Sequence, residues 1–356
     1  MPRPLLLTAD PDLLDDLLRL AATAGVEVEV SQDPGAARRA WAAAPLVLLG
    51  EDLLEGCAAA GLPRRPGLAV LGGDLDDASI WRRAVEIGAE HVVFLPDAEP
   101  WLVSSLADAA EGAAESGRLV AVLGGRGGAG ATTLSVALAL SAVRRGCRTL
   151  LVDGDPLGGG IDLVLGGEQV TGLRWPDLGD TQGRMPAQAL HEALPVVGGL
   201  SVLSWDRGDP SVVPAHVVAS VVAAARRSAD LVVVDLPRTI DDQAREVLGA
   251  ADEVLLVVPA ELRAAAGAAR IAARASVLCR DVGLVVRGPS PGGLTGEQIA
   301  GWLGLPLRGE VRAEPALELA LERGDAPGRQ LRSPLARLCT RLLDDLLGPA
   351  ARQDAA

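Results

Sequence analysis

The sequence predicts an α/β protein divided into two successive domains, each built on a mostly parallel sheet. Three observations carry this reading. Short apolar runs alternate with helical stretches along most of the chain, the pattern of parallel strands joined by crossover helices. One such run, Leu119–Leu123, leads into a loop holding Gly124, Gly125, Gly127, Gly128 and Gly130, and then into an apolar helical run, Leu134–Val143. Between the two series lies Glu111–Gly117 (EGAAESG), small and polar enough to be a linker. A length of 356 residues leaves ample core for two domains.

The first domain is expected over residues 1–110. Residues 4–9 read as a strand and Asp12–Ala22 as an amphipathic helix. Val26–Val30 is a second strand, Pro34–Ala43 a helix and Pro45–Leu49 a third strand. Gly67–Leu71 and His91–Leu95 complete five strands, with Ile80–Ile87 between them and Glu99–Ala114 after them as helices.

The second domain is expected over 118–348, after a linker at 111–117 and before a disordered tail at 349–356. Its opening strand, glycine loop and helix form a phosphate cradle. Glycines let backbone N–H groups turn inward, and the helix N-terminus adds positive potential. Against the pattern G-x-x-x-x-G-K-[ST], the match runs from Gly125 through Gly130, Ala131 and Thr132, and it fails only at the lysine. The chain contains no lysine at all, and its 33 basic residues are all arginine. A GC-rich genome explains a bias, but lysine keeps a GC-ending codon, so a required lysine could have been retained.

Further strands follow. Arg148–Pro156 (RTLLVDGDP) carries Asp153 and Asp155 at its end, and Asp230–Pro237 (DLVVVDLP) carries Asp235. Glu253–Pro259, Val282–Val286 and Leu305–Val311 read as strands, and Leu262–Leu278, Pro315–Gly324 and Ser333–Gly348 as helices. The helix from Leu262 bears Arg263, Arg270 and Arg274, read as a solvated face. The last helix mixes Arg337 and Arg341 with Asp344 and Asp345, which suits packing better than a basic membrane anchor.

Composition narrows the function classes. A net charge of −14 and a pI near 4.7 argue against a nucleic-acid-binding surface. Hydrophobic content is 49% but aromatic content 2%, so Leu, Val and Ala must build the core. Cys57, Cys147, Cys279 and Cys339 are too scattered for a disulfide framework or a metal cluster. Charge near the N-terminus excludes a signal peptide, and the longest apolar windows are too short to span a membrane, so a cytoplasmic protein is expected. His91, His191 and His216 make no catalytic constellation; Trp175, Trp205 and Trp302 read as core or interface.

The first five strand–helix units resemble the receiver domain of response regulators, a flavodoxin-like fold. The acidic pair after its first strand is partly kept as Asp10 and Asp12. The phosphate-accepting aspartate is replaced at Leu49–Gly50, the hydroxyl by Gly72 and Gly73, and the lysine by Leu95–Pro96. Glu51 or Asp52 is the remaining candidate acceptor. The resemblance implies a degenerate receiver used for docking or dimerisation.

The second domain resembles the P-loop ATPases of the MinD/ParA superfamily, whose loop reads K-G-G-x-G-K-[ST]. Here Arg126-Gly127-Gly128-Ala129-Gly130-Ala131-Thr132 aligns with it at every glycine, and Thr133 follows. The segment with Asp153 and Asp155 resembles switch I, and Asp235 to Pro237 resembles the Walker B and switch II segment. A receiver-like domain ahead of such an ATPase resembles the CpaE/TadZ branch, and within it the septum-site-determining group of actinobacteria.

That resemblance implies ATP and Mg²⁺ as cofactors, bound by the loop from Gly125 to Thr133. Thr132 would hold the metal, Asp235 would hold it through water, and Asp155 would position the attacking water. In the superfamily the first lysine crosses a dimer interface and the second serves its own subunit; Arg126 keeps the first charge and Ala131 loses the second. At the strand ending in Val286 and Arg287, the asparagine that reads adenine is missing. Three readings follow: a homodimeric, weakly hydrolysing spatial regulator of septum placement or of Flp-type pilus and secretion assembly; an active ATPase using Arg126; and a ParA-like DNA-partition protein. The first implies recruitment to a pole or septum, at most peripheral membrane contact, and no sequence-specific nucleic acid.

Overall fold

The structure is a computed structural model describing residues 3–73, 77, 79–111, 117–179, 181, 185–208 and 212–348. It divides into two units, Met1–Glu115 and Ser116–Ala356. Residues 112–116 of the expected linker, and the expected tail at 349–356, lie outside the described residues.

The first unit runs β1 (Leu5–Leu7), α1 (Pro11–Thr23), β2 (Glu29–Ser31), α2 (Arg38–Ala43) and β3 (Val47–Gly50). After a 3₁₀ turn at Glu51–Leu53 come α3 (Leu54–Ala59), β4 (Leu68–Gly72), α4 (Ser79–Ile87), β5 (His91–Phe94) and α5 (Glu99–Glu111). The strands form one parallel sheet in the order β2-β1-β3-β4-β5. Period-two alternation splits the buried side chains between two layers. Leu5, Leu7, Val47 and Leu49 face Trp41 and Ile80, whereas Leu6 and Leu48 face Leu17, Leu102 and Leu106. Asp10 caps α1 by accepting from the N–H groups of Asp12 and Leu13, with Pro11 at the first helical position.

The second unit opens with β6 (Arg118–Gly124), α6 (Ala131–Arg144) and β7 (Thr149–Asp153). Short elements follow: α7 (Ile161–Leu165), α8 (Trp175–Leu178), α9 (Ala187–Ala193), β8 (Val196–Val197) and β9 (Leu200–Leu203). Then come α10 (Ala215–Ser228), β10 (Leu231–Leu236), α11 (Asp242–Ala250), β11 (Glu253–Pro259) and α12 (Leu262–Leu278). The unit closes with β12 (Val282–Arg287), α13 (Gly296–Leu303), β13 (Leu307–Val311), α14 (Pro315–Glu322) and α15 (Pro334–Leu347).

The sheet order is β13-β12-β11-β6-β10-β7-β9-β8, parallel throughout except for the β8–β9 hairpin. The glycine-loop strand β6 is therefore central, between β11 and β10. Its strands are buried on both faces and read as continuous apolar runs. In such a sheet the functional crevice lies beyond the carboxyl ends of the strands, where β6, β7 and β10 deliver the glycine loop, Asp153 and Asp235.

Some expectations shift. The second strand forms at Glu29–Ser31 rather than Val26–Val30, at a sheet edge where Glu29 and Val30 are exposed. The helix expected from Pro34 begins only at Arg38, because Asp33 and Ser31 bond the intervening backbone into turns. Trp302 is 55% exposed, not core, whereas Trp175 is buried. No helix among the described residues is long and apolar enough to cross a membrane. The last helix, α15, buries Leu335, Leu338, Leu342, Leu343 and Leu346 and packs on α6 and β13.

Because α15 supports the helix that follows the glycine loop, Leu342→Ala is expected to destabilise the second unit by about 2–5 kcal/mol. Urea denaturation measures this; a cost below about 0.5 kcal/mol would contradict the packing role of α15.

Candidate functional site

The loop between β6 and α6 needs backbone that other residues rarely adopt. Gly128 and Gly130 have φ of +68° and +97°, and Gly130 is the N-cap of α6. Beneath the loop, Gly154 sits so close to β10 that a Cβ there would lie 2.7 Å from the Asp235 carbonyl oxygen. A side chain at 154 would push β7 and β10 apart and separate their terminal carboxylates.

The loop forms one wall of a cavity of about 820 Å³, within the size range of small-ligand sites. Arg126 through Thr133 all line it, as do Asp155, Asp235 and Pro237. Two residues of the expected set stand behind the wall. The Gly125 N–H donates to Val257 across the sheet (2.8 Å). Asp153 is buried, accepts from the N–H groups of Asp155 (3.1 Å) and Ile161 (3.0 Å), and so shapes the switch-like segment from below. Its carbonyl accepts from the indole N–H of Trp175 (2.7 Å), which stacks on Trp205 with ring centroids 5.8 Å apart.

Asp235 is the buried hub of the site. Its carboxylate accepts from the Thr132 hydroxyl (2.6 Å) and the Ser135 hydroxyl (3.0 Å), two donors one turn apart on α6. Burial pushes Asp235 up to about 6, with the two hydroxyl bonds pulling the other way. Burial likewise pushes Asp153 up to about 7, against its two backbone N–H bonds. A hydroxyl held against a carboxylate, with Asp155 lining the same cavity, is a set of hard oxygens of the kind Mg²⁺ takes. The glycine loop at a helix N-terminus suits the phosphates.

The charges at the loop are distributed unlike the sequence alone suggests. Ala131 places only a methyl group where a lysine would begin. Arg126 turns back onto Glu261 at the start of α12, with Nη2 2.7 Å from Oε1, and also donates to the carbonyl of Gly127 (3.3 Å). Arg287, at the end of β12, also lines the cavity, as do Arg238 and Arg312. Ser135 and Arg287 went unassigned in sequence reasoning. The signal for Ser135 was a lone hydroxyl in the run LSVALAL, three residues after Thr132.

In the first unit, Asp52 occupies the space at the end of β3. It accepts from the Thr8 hydroxyl (2.9 Å) and the Ala9 N–H (2.7 Å). A Cβ on Gly50 would collide with Asp52 and lie 2.7 Å from the Thr8 hydroxyl oxygen. A side chain at Gly50 would therefore displace Asp52 and Thr8 from each other, and Asp52 serves as a structural tie between β3 and the loop after β1.

Residues 7–117 match the family described as Rv3660c-like, CheY-like N-terminal domain. The chain is 44% identical to Rv3660c of Mycobacterium tuberculosis over 338 residues, covering 94% of this chain and 95% of that one. The septum site-determining protein MinD of Pyrococcus horikoshii, solved with Mg-ADP, superposes with a TM-score of 0.55 and 20% identity, covering 64% of this chain and 95% of that one. MinD in the Aquifex aeolicus MinC:MinD complex superposes with a TM-score of 0.56 and 23% identity, covering 67% and 99%. At such identities the likeness is one of fold, and it gives the second unit the MinD/ParA fold.

The raised carboxyls make stability depend on pH with a defined sign. With folded values near 7 and 6 against an unfolded value of about 4, the folded chain holds protons that the unfolded chain has released. Their contribution is complete below about pH 4 and is lost as pH rises to about 6 for Asp235 and 7 for Asp153. The melting temperature of the ligand-free protein is expected to fall between about pH 5 and 7.5, and Asp153→Asn to make that slope shallower. A wild-type melting temperature that rises across this window would contradict the burial of the pair.

Proposed function

The chain belongs to the Rv3660c-like family, and from that premise we propose that it is a spatial regulator of the MinD/ParA kind, binding Mg-ATP with little hydrolysis. The observation that carries the proposal is a divided site. Thr132 and Asp235 retain a metal-compatible pair at 2.6 Å, while Ala131 supplies no charge to the phosphates. Transition-state charge stabilisation is the largest contribution to phosphoryl transfer, so its loss lowers turnover far more than it lowers binding.

In this reading the loop from Gly125 to Thr133 would cradle the phosphates, Thr132 would hold Mg²⁺, Asp235 would hold it through water, and Asp155 would position the attacking water. Asp153 and Pro237 belong to the segments that respond to the nucleotide. Bound Mg-ATP supplies negative charge and a divalent cation that join the loop, Asp155 and Asp235 into one contact network. Two copies of the chain would close on it, and the receiver-like unit would dock division-site or pilus and secretion components. The MinC:MinD complex of Aquifex supports partner binding by this fold, and the Mg-ADP complex from Pyrococcus supports the cofactor. A receiver-like unit ahead of a MinD/ParA fold supports a reading within the CpaE/TadZ branch and its septum-site-determining group, with recruitment from the cytoplasm to a pole or septum.

The competing reading, an ATPase with Arg126 as its working cation, is disfavoured by the pairing of Arg126 with Glu261. The DNA-partition reading is disfavoured by the net charge of −14.

Phosphate release by the purified protein with Mg-ATP is expected to stay at background. Turnover that Arg126→Ala abolishes would favour the ATPase reading instead. A fluorescent fusion in the native host is expected to concentrate at septa or poles; uniform fluorescence in dividing cells would contradict the spatial role.

A further inference from the structure

We propose that Arg287, and not Arg126, is the cation that faces the phosphates of the nucleotide bound in the same subunit. The inference rests on the nucleotide-binding reading above and concerns how the phosphates are held in the bound state, not turnover.

Two arginines lie beside the glycine loop, and their surroundings separate their roles. Arg126 is committed: one guanidinium nitrogen pairs with Glu261 and another turns onto the carbonyl of Gly127. Its charge is largely neutralised, and moving it would leave Glu261 without a counter-ion. Arg287 has no such commitment. Among the described residues its guanidinium has no hydrogen-bond or ion-pair partner, although its backbone carbonyl is fixed by the Ala260 N–H (2.8 Å).

The placement of Arg287 brings its charge to the loop from a neighbouring strand end rather than from the loop itself. Strand β12 ends with Arg287 paired in register to Pro259 of β11, which aims the side chain over the loop. A Cβ built on Gly130 would lie 3.6 Å from Arg287 Nη1 and 3.7 Å from its Cδ. Gly130 immediately precedes Ala131, so the guanidinium lies against the N-cap of α6 at the cavity lining. The helix N-terminus contributes only about half a unit of positive charge against a polyphosphate bearing several negative ones. A guanidinium adds a full charge and a planar fork that can meet two phosphate oxygens at once. Arg238 and Arg312 line the same cavity but are exposed, and no contact ties either to the loop.

The test is calorimetric titration of the full chain with Mg-ADP, adenosine and inorganic pyrophosphate. Arg287→Ala is expected to weaken Mg-ADP and pyrophosphate about 10- to 100-fold and to leave adenosine within about 3-fold. Arg287→Lys, which keeps the charge but not the fork, should recover only part of the loss, and Arg126→Ala should change Mg-ADP less than about 3-fold. Arg287→Gln keeps much of the side-chain length and separates lost charge from a folding defect. A larger loss for Arg126→Ala than for Arg287→Ala would overturn the assignment. So would an equal loss of adenosine and Mg-ADP in Arg287→Ala, which would put the arginine at the base instead. If the wild-type protein binds none of the three ligands, the nucleotide reading itself fails and the assignment falls with it.

Discussion

The site depends on one buried carboxylate. Asp235 ends β10 beneath the glycine loop and receives the hydroxyls of Thr132 and Ser135 from the first turns of α6. An unpaired carboxylate at that depth would cost several kcal/mol, so the two donors are a condition of the strand ending where it does. They also fix the azimuth of α6, and through Gly130 they fix the loop that precedes it. The same contact thus sets the end of β10, the start of α6 and the metal-compatible pair. Asp153 repeats the arrangement one strand away, except that its donors are backbone N–H groups of the segment it shapes.

Much of this was legible in the sequence because it is written in local terms. A buried parallel strand is a continuous apolar run, and a phosphate loop is a strand, glycines and a helix in fixed order. Leu119–Leu123, Gly124–Gly130 and the aspartates at strand ends needed no tertiary information. Between Asp162 and Asp230, α7, α8 and β8 are too short to show a period, whereas α10, with Val217, Val218, Val221 and Val222 buried, carries a helical one that went unread. Ser135 and Arg287 escaped for another reason. Each acquires its meaning from a residue far along the chain, Asp235 in one case and Gly130 in the other. Of the core or interface reading for Trp302, the core alternative goes, because its position on α13 leaves it 55% exposed.

The chain without lysine has reorganised its charges rather than substituting them one for one. At the two lysine positions of the superfamily loop stand Arg126, which is tied to Glu261, and Ala131, which carries no charge. The first unit shows the same kind of replacement. There Asp52 takes the space an acceptor aspartate would fill and uses both carboxylate oxygens to hold Thr8 and Ala9. In the proposed reading, both units keep the scaffold of a phosphate site without its reactive group. A binding or docking role fits that pattern better than turnover does.

The central claim is that the fold still binds nucleotide although its loop lysine is missing. Calorimetry of the purified full chain with Mg-ATP, with light scattering on the same sample, tests it most directly. The account predicts micromolar binding with a shift from monomer to dimer. No heat of binding, with the mass unchanged by ATP, would contradict it and leave a scaffold whose phosphate loop serves the fold alone.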